Sequence, residues 1–493
     1  MSLLKSVAVF GTGSDVGKSI VAAALCRCFS DAGIDVAPFK AQNMSNNSGI
    51  TPEGLEMGRA QIVQAEAARL PPHVDMNPVL LKPTGETGSQ VVLLGRATEN
   101  STALGFHMKK DIYFMQACKA YDRLRAAHDL IVLEGAGSCA EVNLMPSDIV
   151  NFRMADHADA NVVLVADIHR GGVFAQIVGT LNCLPESWRK RIKGFVINRF
   201  RGDITLFRDG VKWIENQTGK PVYGVLPWYS HFRMDAEDSV EIENLDSLCP
   251  RNPEKPTLAV IRLPHISNFT DIHALSGCRN FQTVFTEKPM ALAGVRAVIL
   301  PGSKNTRADI AWLKHTRWDQ AIKNFAAQGG HVLGICGGYQ ILGTLVEDPY
   351  GLEGEPGISD GLGLLPVTTV LKAPKMTTVS RFTWDGTPGS GYEIHMGQTT
   401  RNAGNPLFRV ISRNKRDCAD EDGCISMDGR VLGTYMHGLF DTPDIMVKWL
   451  VRAGFPMNLE TCRGQSRDEN YQRLKEHFET HMNMEALMAL IKQ

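Results

Sequence analysis

The first candidate for chemistry is a cysteine on a sharp turn. Cys336 follows the apolar run VLGI (residues 332–335) and precedes two glycines, after which apolar residues recur at helical spacing. The pattern predicts a strand, a tight turn and a helix. The thiol would lie at the carboxyl end of the strand, near the positive end of the helix dipole that stabilises a thiolate. A buried structural cysteine is the alternative, but it would not need the turn that Gly337 and Gly338 permit.

A nucleophilic thiol needs a base, and His437 is the candidate. It follows an apolar strand predicted to end at Met436, so its ring would stand at a sheet edge. Alone, such a histidine would more often simply close a strand, but together with Cys336 it predicts acyl transfer. The loop PGSKNT (residues 301–306) follows another apolar strand. Backbone N–H groups of Gly302 and Gly337 are predicted to form an oxyanion hole.

A second chemical centre is the glycine-rich loop GTGSDVGKS (residues 11–19). It lies between a predicted strand at 6–10 and a predicted helix at 20–30, which is the setting of a phosphate cradle. Thr12 stands where the strict motif has glycine, and a glycine-rich turn without phosphate is the alternative. Lys18 would reach the β- and γ-phosphates and Ser19 would place a hydroxyl on Mg²⁺. The predicted ATP contacts are Gly11, Thr12, Gly13, Ser14, Gly17, Lys18 and Ser19.

Two further segments place polar groups at strand ends. The apolar run at 129–133 ends in Glu134, which predicts a second Mg²⁺ ligand beside Ser19; a strand-end acid satisfied by hydrogen bonds is the alternative. The loop KAQNMSNNS (residues 40–48) is dense in amides and hydroxyls, which suits either a polar substrate or a solvated loop. The predicted substrate contacts are Lys40, Gln42, Asn43, Asn46, Asn47 and Ser48.

At these residues the chain resembles a known family. GICGGYQ (334–340), PGSKNT and YMHG (435–438) are similar to class I glutamine amidotransferases of the cobyrinic type, which include the cobyric acid synthases and the cobyrinic acid a,c-diamide synthases. The loop with Thr12 is similar to that of dethiobiotin synthetase. KAQNMSNNS and GRAQ (58–61) resemble the cobyric acid synthase branch. Where many class I domains have a glutamate two positions after the histidine, this chain has Leu439, so the orienting carboxylate is absent or comes from elsewhere.

The resemblance also bears on other positions. It implies that Asn198 lies where an adenine edge would be read, whereas Arg199 and Arg201 fit ordinary surface charges equally well. The motif GYEIHMG (391–397) belongs to the same type. Its Glu393 and His395 share one face of an extended segment and could bind a polar ligand or support His437.

The function that the resemblance implies is ATP- and glutamine-dependent amidation. Cys336 would release ammonia from glutamine, ATP would activate substrate carboxylates as acyl phosphates, and ammonia would cross the domain interface. In the cobyric acid synthase family the substrate is the corrinoid adenosylcobyrinic a,c-diamide, amidated at its b, d, e and g carboxylates during adenosylcobalamin biosynthesis. Two alternatives remain: a cobyrinic acid a,c-diamide synthase, and an ATP-switched scaffold protein with an inactive amidotransferase domain.

The elements that must position these residues predict two doubly wound α/β domains. We expect a dethiobiotin synthetase-like P-loop domain at 1–235, an acidic and proline-rich linker at 236–256 and a flavodoxin-like amidotransferase domain at 257–448. Residues 449–493 are predicted to form a helical tail. His477 and His481, four residues apart on that tail, are predicted to be surface residues.

Composition limits the partners. The formal net charge of -1 gives no support for nucleic acid, and no apolar run is long enough to span a membrane. Eleven cysteines without a predicted signal peptide or metal-type spacing favour free thiols in the cytoplasm. A homo-oligomer is compatible with this sequence.

Overall fold

The computed structural model describes residues 4–84, 88–229, 254–278, 280–292, 294–457 and 466–492, together with Phe232, Met234 and Asn252. Nearly all of the predicted linker at 236–256 lies outside the described residues. On either side of it stands an α/β domain with its own central sheet, so the predicted two-domain α/β fold is confirmed.

The N-terminal domain alternates strands and helices. Its strands are β1 Val7–Gly11, β2 Val36–Phe39, β3 Gln42–Met44, β4 Ser48–Ile50, β5 Glu56–Gly58, β6 Val79–Pro83, β7 Gly88–Leu93, β8 Arg96–Thr102, β9 Leu130–Glu134, β10 Asn161–Asp167, β11 Ile192–Phe200 and β12 Val222–Pro227. Its helices are α1 Lys18–Asp31, α2 Arg59–Ala67, α3 Ala103–Met108, α4 Lys110–Ala127, α5 Phe152–His157, α6 Val173–Cys183, α7 Glu186–Arg191 and α8 Arg208–Thr218, with 3₁₀ turns at Val74–Met76, Met145–Ser147 and Ile204–Phe207.

The main sheet of this domain is parallel, in the order β12-β11-β10-β1-β9-β2. Every residue of the central strand β1 is buried, because helices cover both faces. Ala8 and Phe10 face one apolar core, while Val7 and Val9 face the other. The P-loop and Glu134 therefore come together at the carboxyl edge of neighbouring strands.

One helix begins later than its pattern predicts. The apolar spacing from residue 56 indicates a helix start there, but Glu56–Gly58 is strand β5, paired antiparallel with β4, and α2 begins at Arg59. The nearest atoms to a Cβ at position 58 would be the side chains of Asn43, Asn77 and Gln61, at 2.8–2.9 Å, so glycine lets these amides approach the backbone.

The C-terminal domain contains two sheets. Its strands are β13 Thr257–Ile261, β14 Ile266–Ser267, β15 Gln282–Thr286, β16 Val295–Leu300, β17 Gly302–Ser303, β18 His331–Ile335, β19 Leu345–Asp348, β20 Gly357–Asp360, β21 Val367–Trp384, β22 Thr387–Arg401, β23 Phe408–Arg413, β24 Arg416–Asp422, β25 Cys424–Ile425 and β26 Val431–Thr434. Its helices, with the tail, are α9 His273–Ser276, α10 Thr306–His315, α11 Trp318–Ala327, α12 Gly337–Leu342, α13 Pro443–Arg452, α14 Arg467–His481 and α15 Met484–Leu490, with 3₁₀ turns at Phe269–Ile272, Pro289–Leu292 and Leu439–Asp441.

The central sheet runs β15-β13-β16-β18-β26-β25 and is parallel except at β25. The strand and helix alternation expected throughout this domain is wrong for residues 367–422. Those residues form antiparallel strands, dominated by the long hairpin of β21 and β22. Burial alternates along β21, because one face of the strand packs on the core and the other is more open.

The tail packs back onto the N-terminal domain. Helix α14 lies against α1, where Arg27 pairs with Asp468 at 2.8 Å, and Gly224 of β12 bridges to Met482. His477 and His481 are partly buried here, and His477 Nε2 lies 3.2 Å from the Pro227 carbonyl oxygen.

Candidate active site

Cys336 occupies the predicted turn between β18 and α12. Its backbone has φ 52° and ψ -108°, a conformation that costs a non-glycine residue about 1–3 kcal/mol and is concentrated at functional sites. The turn is closely packed, because a Cβ at position 338 would lie 2.0 Å from the carbonyl oxygen of Leu300. The two glycines are therefore sterically required, as the strand–turn–helix interpretation predicts.

His437 lies just beyond the end of β26 and is 1% exposed. Its backbone N–H donates to the Tyr392 carbonyl at 2.8 Å, and the Tyr392 ring stacks on the imidazole with centroids 5.3 Å apart. Among the residues that the structure describes, the imidazole Nε2 has no hydrogen-bond partner although it is buried. The backbone hydrogen bond and the stacked Tyr392 ring thus fix the imidazole, while Nε2 makes no hydrogen bond to the described residues.

The other ring nitrogen contacts a carboxylate that the sequence did not single out. Asp271, in the 3₁₀ turn Phe269–Ile272, has Oδ2 2.7 Å from His437 Nδ1, and its Oδ1 accepts the Gly438 N–H at 2.8 Å. Leu439, at the position of the usual glutamate, is 1% exposed and packs in the apolar core. The available signal was an acid following the first strand of the domain, at the same sheet edge as Cys336.

The electrostatics of the histidine follow from this contact. Burial alone would lower the pKa of His437, but the Asp271 carboxylate and the Cys336 sulfur outweigh burial and raise the pKa to about 10. The pocket therefore favours a protonated imidazole beside the sulfur. Such a pair suits a cysteine nucleophile, whose thiolate is the reactive form.

The predicted oxyanion loop lies against both residues. β17 pairs with β14, and a Cβ at position 302 would lie 3.2 Å from His437 Cε1. A Cβ at position 337 would lie 2.7 Å from the Ser303 backbone nitrogen. As the first residue of α12, Gly337 has an N–H without a carbonyl partner in its helix. The oxyanion hole of Gly302 and Gly337 stays a prediction, and this proximity is compatible with it.

Glu393 and His395 do not orient His437. The Glu393 carboxylate accepts from Arg413 Nε at 3.0 Å and from Ser380 Oγ at 2.8 Å, while His395 stacks on Tyr435 with ring centroids 3.7 Å apart. Of the two predicted roles, support of His437 belongs to Asp271 instead, whose Oδ2 lies 2.7 Å from the imidazole Nδ1.

A cavity beside Cys336 is lined by both domains. The C-terminal domain contributes Lys304 and Gln340, and the N-terminal domain contributes Lys82. Gln340 is held by Thr306 Oγ1 at 2.9 Å and by Tyr435 Oη at 3.1 Å. Cys336 thus faces the junction between the domains.

The glycine-rich loop lies between β1 and α1, the setting that the sequence predicts for a phosphate cradle. Gly17 caps α1 with φ 99°, and Lys18 Nζ donates to the carbonyls of Gly13 and Gly137, both at 2.9 Å. Thr12 Oγ1 donates to Gln176 at 3.3 Å. Gly11, Ser14 and the other predicted ATP contacts stay predictions.

Asn198 supports this loop from behind. It is fully buried, its Nδ2 donates to the Val16 carbonyl at 2.9 Å, and a Cβ at position 17 would lie 2.0 Å from that nitrogen. Arg199 pairs with Asp15 at 3.0 Å, so it also braces the loop. The adenine contact of Asn198 stays a prediction.

Glu134 is the centre of a buried polar cluster. Its Oε1 accepts from Ser19 Oγ at 2.8 Å and from Lys40 Nζ at 3.0 Å, and its Oε2 accepts from the amides of Gln61 and Gln64. A hydroxyl and a carboxylate at a P-loop are the oxygen donors that Mg²⁺ prefers. No cluster of three or more His, Cys, Asp or Glu side chains able to hold a metal ion occurs within the described ranges.

The predicted substrate loop contacts residues of both domains. Lys40 and Asn43 face Glu134 and Gln61, whereas the Ser48 N–H donates to Asn268 of the C-terminal domain at 3.0 Å. The remaining members, Gln42, Asn46 and Asn47, lie on β3 or between β3 and β4. Their roles in substrate binding stay predictions.

Within the part of the chain that the structure describes, no helix is long and apolar enough to cross a membrane.

Comparison with known proteins covers both halves of the chain. Residues 7–241 match the CobQ/CobB/MinD/ParA nucleotide binding domain, and residues 257–445 match the CobB/CobQ-like glutamine amidotransferase domain. A cobyric acid synthase from Chlorobium phaeobacteroides is 51% identical over 494 residues, which cover 99% of this chain and 97% of that protein. A cobyric acid synthase from Salmonella typhimurium is 44% identical over 508 residues, which cover 100% of this chain and 99% of that protein. With such identity along its whole length, and with both domains matched, the chain belongs to the cobyric acid synthase family.

Proposed function

We propose that the chain amidates the b, d, e and g carboxylates of adenosylcobyrinic a,c-diamide, using ATP and glutamine, in adenosylcobalamin biosynthesis. Family membership supports this reaction. One structural observation supports the assignment of ammonia release to the C-terminal domain and of amidation to the N-terminal domain. The cavity beside Cys336 is lined by residues of both domains, so nitrogen released there is delivered towards the ATP-binding domain. The carboxylates are the electrophiles to be activated, since a free carboxylate does not react with ammonia.

The glutaminase half-reaction uses the buried cysteine. The Cys336 thiolate attacks the side-chain amide carbon of glutamine, forming a C–S bond, and the oxyanion is held by the N–H groups of Gly302 and Gly337. His437 then donates a proton to the departing nitrogen, the C–N bond breaks and ammonia leaves. Water hydrolyses the remaining thioester with His437 as base, which returns the proton. Asp271 orients the imidazole through Nδ1, so that Nε2 faces the reacting atoms.

The synthetase half-reaction uses the P-loop. A substrate carboxylate oxygen attacks the γ-phosphorus of ATP, giving an acyl phosphate and ADP, and ammonia then displaces phosphate at the acyl carbon. Lys18 neutralises charge on the transferring phosphoryl group, and the loop of Gly11, Thr12, Gly13, Ser14 and Gly17 holds the phosphates. Ser19 and Glu134 would hold Mg²⁺, which supplies further positive charge there. Asn198 is proposed near the adenine, and Lys40, Gln42, Asn43, Asn46, Asn47 and Ser48 near the corrinoid.

Free thiols accompany this proposal. Eight of the described cysteines are free thiols, which supports a reducing, cytoplasmic setting: Cys26, Cys28, Cys118, Cys139, Cys183, Cys336, Cys418 and Cys424.

The test is mass spectrometry of adenosylcobyrinic a,c-diamide after incubation with the protein, Mg-ATP and amide-¹⁵N glutamine. Incorporation of labelled nitrogen at each of the b, d, e and g positions is expected. An unchanged corrinoid with intact ATP hydrolysis would overturn the proposal. Labelling of cobyrinic acid at a and c instead would assign the diamide synthase reaction.

A further inference from the structure

A buried charged cluster joins the two domains. Glu56 of β5 and Lys82 of β6 come from the N-terminal domain, and Lys375 of β21 comes from the C-terminal domain. Glu56 Oε1 accepts from Lys82 at 2.7 Å and its Oε2 accepts from Lys375 at 2.6 Å. The three side chains, called here the junction cluster, are 0%, 3% and 7% exposed respectively.

The junction cluster forms one wall of the cavity that contains Cys336. Lys82 and Lys375 line that cavity, and Gln90 accepts both from Lys375 at 3.2 Å and from Lys304, a third cavity lysine, at 3.3 Å. The titratable side chains that line the cavity are Cys336, His395, Glu353, Lys82, Lys304 and Lys375. With Glu56 behind the wall, three lysines stand against two carboxylates.

The charges of this cavity act on each other. Burial, together with Lys82 and Lys304, lowers the pKa of Lys375 to about 7 despite the opposing effect of Glu56. Burial and Lys82 also lower the pKa of Lys304. Burial raises the pKa of Glu353 to about 7. Burial and the neighbouring lysines, which disfavour the charged form of each lysine, would likewise disfavour ammonium relative to neutral ammonia.

On its other side the cluster leads to the ATP-binding centre. Glu56 begins the short strand that runs into α2, and Gln61 and Gln64 of this helix donate to Glu134. Glu134 in turn accepts from Ser19 of the P-loop. The junction cluster is therefore connected to the ATP-binding centre through β5 and α2.

We propose that the junction cluster is the exit of the Cys336 cavity, where its lysines keep the departing ammonia unprotonated as it crosses to the N-terminal domain. This inference rests on the proposed function. His437 supplies the proton that completes neutral ammonia, and no bond to the cluster forms or breaks. An ammonium ion would be unreactive towards an acyl phosphate, because its nitrogen has no lone pair.

The test is isotope dilution during amidation. Each protein is given amide-¹⁵N glutamine with excess unlabelled ammonium chloride, and the label in the corrinoid amides is measured. Wild type is expected to retain most of the label, and the share lost to ammonia entering from solvent sets the reference dilution. K375M is expected to incorporate at least about twofold more unlabelled nitrogen, because loss of the charge lets ammonia protonate and exchange with bulk solvent. E56Q, which removes the negative charge but keeps the shape, is expected to retain the label.

A matched control separates this role from simple clamping of the domains. Arg467 also bridges the domains, pairing with Glu66 at 3.2 Å and Asp441 at 2.8 Å away from the Cys336 cavity. R467Q should retain the label. Equal dilution in K375M and R467Q, or undiluted label in K375M, would overturn the inference. Ammonia-dependent amidation by each variant shows that it is folded, and its absence in wild type would overturn the proposed function itself.

Discussion

Both domains place candidate reactive groups at the amino terminus of a helix, but the turns before the two helices differ. In each, a central parallel strand ends at a turn that opens a helix, so the reactive groups meet a helix amino terminus. At Cys336 the turn is short and strained, with a Cβ at position 338 only 2.0 Å from the Leu300 oxygen. At the P-loop the turn is longer and unevenly packed: a Cβ at position 17 would lie 2.0 Å from the Asn198 amide nitrogen, whereas one at position 13 would have its nearest neighbour at 3.7 Å.

The difference follows from what each turn must hold. A nucleophile is one side-chain atom that must be aimed at a carbonyl carbon, so its backbone is fixed by close packing on all sides. The triphosphate proposed for the other turn is a large anion held by many backbone N–H groups, so the middle of that loop, around Gly13, needs room. Each turn can be broken separately.

The largest effect is expected from C336A. Glutamine-dependent amidation should fall by about 10⁴-fold or more, because no other group can form the thioester. Ammonia-dependent amidation should persist, since the P-loop centre is intact. Corrinoid amides are counted by mass spectrometry with each nitrogen source. Retention of the glutamine-dependent reaction would remove Cys336 from the mechanism.

K18A should impair the ATP-dependent half-reaction of the N-terminal domain. Amidation should fall by about 10³-fold with glutamine and with ammonia alike, because the transferring phosphoryl group loses a neutralising charge. Hydrolysis of glutamine to glutamate, measured without corrinoid, should continue. A defect confined to the glutamine-dependent reaction would contradict this assignment.

D271N should weaken only the glutaminase, by about 10²-fold, because the amide cannot hold the imidazole as the carboxylate does. Removing the negative charge should also lower the pKa of His437 from about 10. The imidazolium would then be lost at a lower pH than in wild type, which histidine NMR shifts detect. D271E should recover part of the activity. An unchanged histidine titration would mean that Asp271 does not act on the ring.

The smallest effect, G338A against G13A, sharpens the contrast between the turns. G338A should lower the free energy of unfolding by about 1–3 kcal/mol, because its methyl group overlaps the Leu300 carbonyl. G13A should leave stability within about 0.5 kcal/mol, as expected for a substitution without a clash. Denaturant unfolding of both variants measures the difference. Equal destabilisation would show that the two turns are packed alike.

Local patterns predicted the elements that carry the chemistry. The strands before Thr12 and Cys336 and the helices after Lys18 and Cys336 are short-range features, visible as apolar runs and glycines. Apolar spacing did not predict the structure of residues 367–422, where antiparallel strands replace the expected alternation of strands and helices. It also placed the start of α2 at Glu56 rather than Arg59. In both cases antiparallel pairing with a neighbouring strand overrode the local spacing.

By itself the sequence determined the two α/β domains, the thiol and the histidine, and the P-loop, because each depends on neighbouring residues and on family resemblance. Only the tertiary structure brought Asp271 to His437, 166 positions away, and Lys375 to Glu56, 319 positions away. These contacts depend on which loops meet at a sheet edge and how the domains dock. Residue spacing along the chain does not predict that docking. A carboxylate interacts with whichever group the fold places within hydrogen-bond distance, however far apart the two residues are in sequence.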